Sequence, residues 1–379
     1  MRHVEVAIVG AGVTGLSIAF HLLERQVGPV LVLDRAGIGA GASGVQPGGV
    51  RRQWSTRDHC LLAAESYEFF QKLASRLQPA TNPVLEPCGY LFVAHSAEAL
   101  AQLRTNVALQ NELGIPSEIA DPAEVARIVP GLDPSSLAGA AWCRTDGYFD
   151  KPQAVVEAFA EASWRNGAEL EIADVVGIEP DGAEGWRVRL GEGELAARNV
   201  VLAAGYDTPS LLAPLGIELP IVKEQRFVFL SRPIVERLLE PLVVSAERRF
   251  AAKQLANGRV LASDLTATSD PERLRETWRR TVREGIEELA PILSYVDFDL
   301  LIDGFYDTTP DHSEILGPVA GLPGLWLAAG FSGHGFMMAP AVGRSLAAWI
   351  AGDDPGEAAS AFVLERFRGD GLELETQVV

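Results

Sequence analysis

A glycine-rich turn near the start of the chain constrains the fold more than any other feature. Gly10, Gly12 and Gly15 lie between Glu5–Val9, a β-branched run that predicts a buried strand, and a segment with apolar residues at helical spacing. Gly10 permits a tight turn, Gly12 lets the backbone approach a pyrophosphate, and Gly15 lets the helix pack closely on the strand. Asp34 ends a second apolar run, where it can accept hydrogen bonds from a ribose hydroxyl. The pattern predicts a β-α-β unit that binds a dinucleotide.

A second small-residue loop distinguishes a flavin dinucleotide from a nicotinamide dinucleotide. The segment Gly39–Gly44 follows Asp34 closely and leads through Gly48 to two consecutive arginines, Arg51 and Arg52. A plain NAD-binding domain has no need of such a loop at this place. The alternative, a flexible surface loop, fits poorly with two arginines and a tryptophan beside so many glycines. The loop therefore favours FAD over NAD.

A third glycine-rich segment, Gly330–Phe336, lies between a predicted strand at Leu325–Ala329 and a predicted last helix at Ala339–Ala351. Its turn would bring backbone N–H groups and a helix N-terminus to one place, and such a group of donors stabilises the negative charge of a reduced flavin. His334 lies between two glycines, so we expect it to be structural or to contact the cofactor. Catalysis by His334 is the less favoured interpretation.

Composition excludes several classes of protein. The net charge of the 379 residues is −19, which argues against a general nucleic-acid binder and against docking on an anionic membrane by charge alone. Cys60, Cys88 and Cys143 are too scattered for a disulfide framework or a structural zinc site. The absence of a C-x-x-C pair from the sequence argues against a flavin disulfide reductase. No stretch has the length and apolarity to span a bilayer, so we expect a cytoplasmic protein without a bound metal.

The remaining periodicity predicts an α/β fold, in which a discontinuous Rossmann-like FAD-binding domain carries an inserted α+β substrate domain built on a mixed sheet. We assign residues 1–84, 145–210 and 308–379 to the FAD-binding domain and residues 85–144 and 211–307 to the substrate-binding domain. Within these domains, the patterns predict one helix over Asp58–Leu77 and one strand over Glu169–Ile178.

The glycine motifs and the strand-like run Val200–Gly205 occur in the same order in the FAD-dependent amine oxidoreductases of the D-amino-acid-oxidase superfamily, which the chain resembles along its whole length. Monomeric sarcosine oxidase, the sarcosine oxidase beta subunit and glycine oxidase belong to this group. The resemblance is strongest at the two ends and weak from about Leu85 to Leu300. The stretch Gly48–Trp54 is most similar to the beta-subunit and proline-dehydrogenase branch.

The resemblance implies roles for individual side chains. Arg51 matches the arginine that binds the substrate carboxylate in monomeric sarcosine oxidase, and a guanidinium can donate two parallel hydrogen bonds to a carboxylate. Arg52 is the alternative, because the loop can shift by one residue. Tyr306 stands where several relatives have a tyrosine that faces the substrate, although an ordinary core tyrosine fits equally well. Arg51, Tyr306 and His334 are therefore the candidate catalytic residues, and Met337 is a further substrate-side position.

The glycine motifs and the resemblance together imply a larger set of FAD contacts. These are Gly10, Gly12, Val13, Thr14, Gly15, Asp34, Arg35, Ala42, Ser43, Gly48, Gly49, Val50, Val175, Val176, Ala204, Gly205, Gly330, Phe331, Gly333, His334, Gly335, Phe336 and Met337. Relatives attach flavin covalently through a cysteine or a histidine, but Gly304 and Gly44 fall near those positions here. We therefore expect FAD to be held non-covalently.

Two further departures from the monomeric oxidase bear on the reaction. A lysine that follows the last glycine segment there is Met337 here, and the oxygen-activating lysine would fall near Val260. The chain has four lysines, of which Lys253 is the nearest in sequence. The loss of the oxygen-activating lysine favours a dehydrogenase that passes electrons to a carrier.

The sequence thus predicts FAD-dependent oxidation of the C–N bond of a small amino acid or secondary amine of the sarcosine, glycine or proline type. Hydride would pass to flavin N5 and give an imine that hydrolyses. Two alternatives stay open: a dehydrogenase for a 2-hydroxy acid or polyol phosphate, with His334 as candidate base, and a flavin-bearing subunit of a larger complex. The expected partners are the substrate and an electron acceptor, O2 or a carrier, and no nucleic acid.

Overall fold

The computed structural model describes residues 2–182, 185–265, 271–369 and 371–378. Its strands are β1 (Arg2–Val9), β2 (Val30–Asp34), β3 (Gly49–Val50), β4 (Leu85–Glu86), β5 (Tyr90–Ala94), β6 (Ser117–Ala120), β7 (Gly139–Cys143), β8 (Gly147–Phe149), β9 (Glu169–Ile172), β10 (Val175–Pro180), β11 (Trp186–Leu190), β12 (Glu194–Leu202), β13 (Val222–Ser231), β14 (Leu242–Ser245), β15 (Phe250–Gln254), β16 (Val260–Asp264), β17 (Phe298–Thr308), β18 (Ile315–Pro318) and β19 (Leu325–Ala329). Its helices are α1 (Val13–Glu24), α2 (Ala42–Val45), α3 (Arg57–Gln71), α4 (Leu73–Leu77), α5 (Ala97–Glu112), α6 (Pro122–Ile128), α7 (Pro152–Arg165), α8 (Thr208–Leu212), α9 (Pro271–Leu289) and α10 (Gly335–Ala351).

The first large sheet is built around the predicted β-α-β unit. Its strands lie in the order β10-β11-β12-β1-β2-β9, with β19 paired to β12 and β18 paired to β19. The central strands run parallel. Alternate side chains of β1 enter two apolar clusters: Val6 and Ile8 pack with α1, α7 and α10, while Ala7 and Val9 pack on the opposite face. Both faces of the strand are covered, which explains its continuous apolar sequence.

The second large sheet has two chemically different faces. Its order is β17-β13-β16-β15-β14-β5-β7-β6, and its pairs are antiparallel except for β14 with β5. Phe229, Val260 and Ala262 pack with α9 in an apolar core. Because successive side chains of a strand point to opposite faces, Arg226 and Lys253 fall on the other face. The sheet thus presents cations on the face away from α9.

The chain leaves the first large sheet for the second and returns to the first twice. Strands of the first sheet come from residues 2–34, 169–202 and 315–329, and strands of the second come from residues 90–143 and 222–308. A small sheet with the order β3-β8-β4 joins the connecting segments. The predicted α/β class with a second mixed sheet is confirmed. The alternation supports the proposed discontinuous division, whose boundaries stay a prediction.

Several predicted boundaries were wrong. The last helix begins at Gly335 rather than Ala339, so Pro340 lies inside it. The helix predicted over residues 58–77 is two helices, because the backbone leaves the helical conformation at Lys72. The strand predicted over residues 169–178 is also two strands, β9 and β10, which lie at opposite edges of the first sheet. The sequence pattern gave no sign of β15, the strand that carries Lys253.

None of the helices in the described ranges combines the length and apolarity needed to cross a bilayer. Within the same ranges, no group of three histidine, cysteine or acidic side chains is arranged to hold a metal ion.

A buried carboxylate connects the C-terminal segment 371–378 to the start of α3. Glu375 accepts hydrogen bonds from the backbone N–H groups of Ser55 and Thr56 at 3.0–3.2 Å. Both hydroxyls also donate to it, at 2.6 Å from Ser55 and 3.1 Å from Thr56. The carboxylate satisfies amides next to the first turn of α3 and lies at the positive end of the helix dipole. It is fully buried, so water cannot replace it.

Replacement of Glu375 should therefore destabilise the protein strongly. Glu375→Ala leaves buried donors of Ser55 and Thr56 without an acceptor, and we expect the free energy of unfolding to fall by about 2–3 kcal/mol. Urea unfolding followed by circular dichroism measures the loss. Glu373→Ala, at an exposed position two residues away, is the control. Equal stability of the two variants would contradict the assignment.

His59 makes stability depend on pH through the same cluster. Its Nε2 lies 3.3 Å from Glu314 and its Nδ1 lies 3.6 Å from Glu375, while the ring stacks on Trp54. Burial opposes a charge on the imidazole, but the carboxylates of Glu314 and Glu375 outweigh burial and the repulsion of Arg51, and they raise its pKa. Folding therefore favours the charged imidazolium of His59 relative to the unfolded chain.

The sign of the pH effect follows from this raised pKa. The stabilisation by the imidazolium is fully present below the unfolded pKa of about 6.5 and is lost as the pH rises through the folded pKa. The stability of the wild type should fall over this range relative to His59→Gln. Urea titrations from pH 6 to pH 9 measure the difference, and parallel curves for the two proteins would refute it.

Candidate functional site

A cavity of about 660 Å³ lies between the carboxyl ends of β1, β2 and β12 and the cation-bearing face of the second sheet. Val9, Leu33 and Ala203 form its wall at the strand ends, and Leu261 and Ser263 form part of the wall at the second sheet. Ligands of open α/β sheets bind beyond the carboxyl ends of the strands. The cavity is therefore the candidate site.

The first glycine motif forms a cradle at one end of the cavity. Gly10 has φ +116°, and a Cβ there would lie 2.3 Å from the carbonyl oxygen of Ala203. A Cβ on Gly15 would lie 2.0 Å from the carbonyl oxygen of Gly10. Gly12 precedes α1, whose first N–H, that of Val13, donates to Ser43 Oγ at 3.0 Å. Bare backbone and a helix N-terminus thus face the cavity, an arrangement that suits a pyrophosphate.

Asp34 is held rigidly at the end of β2. One carboxylate oxygen accepts from Ala11 N at 2.8 Å, and the other accepts from Ala36 N and Gly37 N at 2.8 and 2.9 Å. Asp34 is also part of the cavity wall. A carboxylate oxygen has more than one acceptor direction, so Asp34 can still accept from a ribose hydroxyl.

The terminal glycine segment turns sharply against the cavity. Gly330 and Ser332 have φ +74° and +50°, and a Cβ on Gly333 would lie 2.4 Å from the ring of Tyr306. Asp307 fixes the turn by accepting from Gly330 N at 2.7 Å. Burial raises the pKa of Asp307 to about 6, although hydrogen bonds from the backbone N–H groups of Gly330, Asp307 and Phe331 oppose the rise. The free N–H groups of α10 begin at Gly335, next to this turn.

The structure brings many of the predicted residues to the cavity wall and leaves others behind it. Those in the wall are Gly10, Gly12, Val13, Thr14, Asp34, Arg35, Ala42, Ser43, Val175, Val176, Ala204, Gly205, Tyr306, Phe331, Gly333, Gly335 and Phe336. Those outside it are Gly15, Gly48, Gly49, Val50, Arg51, Arg52, Gly330, His334 and Met337. Gly15 and Gly330 shape the backbone turns that bring their neighbours to the wall.

Arg51 is buried behind the wall. Its Nη1 donates to the carbonyl of Gln53 and its Nη2 donates to the carbonyl of Gln377 at 2.5 Å, while the guanidinium lies 3.6 Å from the centre of the Trp54 ring. Its Nε has no hydrogen-bond partner among the described residues. In this arrangement the terminal nitrogens expected to bind a carboxylate are bound to backbone carbonyls.

Arg52 is held by an internal ion pair. Its Nε donates to the buried carboxylate of Asp146 at 2.9 Å, and its Nη2 donates to the hydroxyl of Thr145. The guanidinium also lies 3.8 Å from the centre of the Tyr67 ring. These contacts hold Arg52 outside the cavity wall. The alternative prediction, that Arg52 binds the substrate carboxylate, therefore has no support from its position.

His334 and Met337 lie in the interior behind the terminal turn. The rings of His334 and Trp54 are nearly perpendicular, with their centres 4.4 Å apart. Both nitrogens of His334 lack a hydrogen-bond partner among the described residues. Burial, with the nearby charges of Arg51 and His59, lowers its pKa well below the usual value. His334 is therefore neutral, and it is not positioned to take a proton from a ligand in the cavity. Met337 packs in the core beside α3.

Of the four predicted substrate-side residues, Tyr306 is the one that lies in the described wall. It lies on β17, with the guanidinium of Arg226 4.9 Å from the centre of its ring. Burial raises the pKa of its phenol, although Arg226 and Arg51 oppose the rise. The phenol therefore keeps its proton at neutral pH and can donate a hydrogen bond to a ligand.

The second sheet brings to the wall two cations that had no assigned role from the sequence, Arg226 and Lys253. Arg226 pairs with Glu224 at 2.8 Å. Lys253 lies directly opposite Leu261 on the neighbouring strand, next to the position near Val260 at which the family's lysine was expected. Strand register is set by long-range pairing, so proximity in sequence could not show that Lys253 would reach this place.

The residues present fit FAD. The glycine cradle, the N-terminus of α1 and Asp34 provide the groups that a dinucleotide requires, and they open into the same cavity as the second sheet. No cysteine or histidine occurs among the described wall residues, so neither type of side chain that attaches flavin covalently in relatives lines the described cavity. A Cβ on Gly304 would lie 2.7 Å from Val45, and this position is thus filled by packing.

Comparison with known proteins agrees with this geometry. A family profile described as FAD dependent oxidoreductase, abbreviated DAO, matches residues 5–349. Glycine oxidase of Pseudomonas aeruginosa is 29% identical, over 93% of this chain and 96% of its own. The 4-methylaminobutanoate oxidase (formaldehyde-forming) of Paenarthrobacter nicotinovorans is 26% identical over 97% of this chain, which spans 46% of that protein.

A solved structure is similar over nearly its full length. The crystal structure of L-proline dehydrogenase from P. horikoshii superposes with a TM-score of 0.89 at 27% identity, and the match covers 97% of this chain and 98% of that one. The chain belongs to the DAO family of FAD-dependent oxidoreductases. The family resemblance and the cofactor predicted from the sequence are thereby confirmed.

The tight approach at Gly10 predicts a sensitive variant. Gly10→Ala introduces a Cβ against the carbonyl of Ala203 at a φ that side chains rarely adopt, so we expect the purified protein to lose most of its FAD. The ratio of flavin absorbance to protein absorbance measures the loss. Gly191→Ala, which has no atom closer than 4.0 Å to the new Cβ, should retain full FAD. Equal flavin content in both variants would count against the cradle.

Proposed function

We propose that the protein oxidises the C–N bond of a small amino acid or secondary amine of the glycine, sarcosine or proline type. FAD, when bound, supplies the hydride acceptor. The observation that carries the proposal is the continuity of the cavity, which joins the dinucleotide cradle to a sheet face that bears Arg226, Lys253 and Tyr306. The similarity to proteins named glycine oxidase and L-proline dehydrogenase supports the same reaction.

The wall of the second sheet offers groups that suit the substrate. Arg226 supplies a guanidinium at this end of the described wall. We propose it as the anchor for the substrate carboxylate, with Tyr306 beside it as hydrogen-bond donor. Leu242, Ala251 and Leu261 provide an apolar surface for a small side chain or N-methyl group. Anchoring the carboxylate orients the C–H bond that must break. Arg51 would act from behind this layer by its charge on Tyr306.

Reduction of the bound flavin under anaerobic conditions tests the proposal. Glycine, sarcosine and proline are compared with dimethylamine, lactate and glycerol 3-phosphate, and loss of visible flavin absorbance is followed. We expect at least one amino acid to bleach the flavin. Dimethylamine lacks the carboxylate and should act about 10- to 100-fold less efficiently, as the loss of one charge-assisted hydrogen bond implies. Bleaching by lactate or glycerol 3-phosphate alone would overturn the proposal.

The electron acceptor is a further part of the proposal. Leu261 and Val260 carry no amine, which favours a carrier, yet Lys253 places an amine on the adjacent strand in the same wall. Admission of air after anaerobic reduction separates the two cases, because rapid return of flavin colour indicates an oxidase and persistent bleaching indicates a dehydrogenase.

We also propose association with other subunits and a cytoplasmic location. The similarity of Gly48–Trp54 to the beta-subunit branch supports association with other subunits, which gel filtration of the co-expressed proteins tests. Cys60, Cys88 and Cys143 are free thiols, which supports a reducing compartment such as the cytoplasm. The 2-hydroxy-acid alternative relied on His334 as base, and the position of that residue behind the wall gives it no support.

A further inference from the structure

Lys253 lies where the cofactor half and the substrate half of the cavity meet. Its strand belongs to the second sheet, yet its Nζ donates a hydrogen bond to the carbonyl of Pro47, a residue of the other half of the wall, at 2.5 Å. Pro47 follows the small-residue loop that lines the cofactor half. A reacting C–N bond must contact both the cofactor and the substrate sheet, and we expect it at this junction of the wall.

The surroundings of Lys253 leave its amine mostly uncommitted. The side chain is fully buried, and Nζ lies 3.6 Å from the centre of the Tyr148 ring. An ammonium has three donors, and the carbonyl of Pro47 is one acceptor. No carboxylate of the described residues forms an ion pair with Nζ, and the acid that acts on it through space is Asp150, whose carboxylate accepts from Ala256 N.

The groups that face Lys253 do not compensate for its burial. Cys88 and Tyr148 stay neutral, since burial raises their pKa values to about 11 and about 12. Arg237 lies beyond Tyr148, 3.5 Å from its oxygen, and Arg226 and Asp264 are charged groups elsewhere in the wall. Burial lowers the pKa of Lys253 to about 7, against a smaller opposing effect of Asp150 and Cys88.

Four other acid–base groups near the cavity are engaged or misplaced. Asp307 accepts from the backbone of the terminal turn, and Asp34 accepts from three backbone N–H groups. Asp207 pairs with Arg35 at the cofactor end. His334 lies outside the wall.

We propose that Lys253 is the general base that takes the proton from the ammonium group of the substrate. This inference rests on the proposed amine oxidation, which requires a nitrogen lone pair as hydride leaves. In the proton transfer, an N–H bond of the substrate ammonium breaks and its electron pair stays on nitrogen as the lone pair. The proton forms a new N–H bond with Nζ, and no electrons pass to or from the cofactor in this step.

The pH dependence of kcat/KM distinguishes this role from carboxylate binding. A free substrate ammonium has a pKa of about 10, similar to that of a lysine, so about 1% of the substrate carries a lone pair at pH 8. The wild type can bind the abundant ammonium form and remove its proton, which gives a plateau between about pH 7 and pH 10. Without the base, the enzyme depends on the scarce neutral form.

We therefore expect Lys253→Met and Lys253→Arg to lose about 100-fold in kcat/KM at pH 8 and to recover about tenfold per pH unit up to pH 10. Lys253→Arg is decisive, because its guanidinium keeps the charge but cannot accept a proton. Lys72→Met, at an exposed site directly after the end of α3, is the matched control and should keep the wild-type profile. Activity of Lys253→Arg equal to wild type at pH 8, or losses that persist at pH 10, would overturn the proposal.

A second measurement needs no turnover. The chain has four lysines, so a protein labelled with ¹³C at lysine Cε gives four signals, and Lys253 is assigned by its absence from Lys253→Arg. In the FAD-loaded wild type, the Lys253 signal should titrate near pH 7, whereas a signal that stays protonated to pH 10 refutes a base. If amino acids reduce the wild-type flavin but the variants show parallel pH profiles, this inference alone fails. If no amine or amino acid reduces it, the proposed function fails as well.

Discussion

The close approach of Gly10 to the carboxyl end of β12 is the constraint on which the cofactor half depends. The backbone of Gly10 contacts the carbonyl of Ala203, and Gly15 contacts the carbonyl of Gly10 in turn. These contacts bring α1 against β1 so that its N-terminus opens toward the cavity. Ser43 then binds the first amide of α1 and ties the second loop to the same place. Any side chain at Gly10 would push these parts away from one another.

The substrate half depends on a different principle, the alternation of side chains across one sheet. The face toward α9 is apolar and closes a core, whereas the opposite face bears Arg226 and Lys253 at a cavity. Lysine is rarely buried without a partner, because burial disfavours the charged form. The core on one face holds the strands in register and so fixes the two cations in the wall of the other.

The sequence allowed the cofactor half to be predicted better than the substrate half, for a physical reason. The dinucleotide cradle is local: Gly10, Gly12 and Gly15 act within one turn, so their spacing is visible along the chain. The positions of Arg226 and Lys253 depend on pairing among β13, β16 and β15, and no short pattern encodes it. Arg51 shows the limit of transfer by resemblance, since its surroundings include Gln377, a residue 326 positions away. The start of α10 was predicted at Ala339, whereas the turn at Ser332 and Gly333 sets it at Gly335.

The contacts of the C-terminal segment also bear on how the chain folds. Glu375 and Gln377 reach residues 51–56, and the side chain of Gln377 accepts a hydrogen bond from Asn106 on α5. A chain that folds during synthesis from its N-terminus lacks these partners until residues 375–377 have been made. β19 and α10, which complete the first sheet and its helical layer, also arrive late. High contact order of this kind implies slow acquisition of the native cofactor site, which a fragment that ends before these residues would not complete.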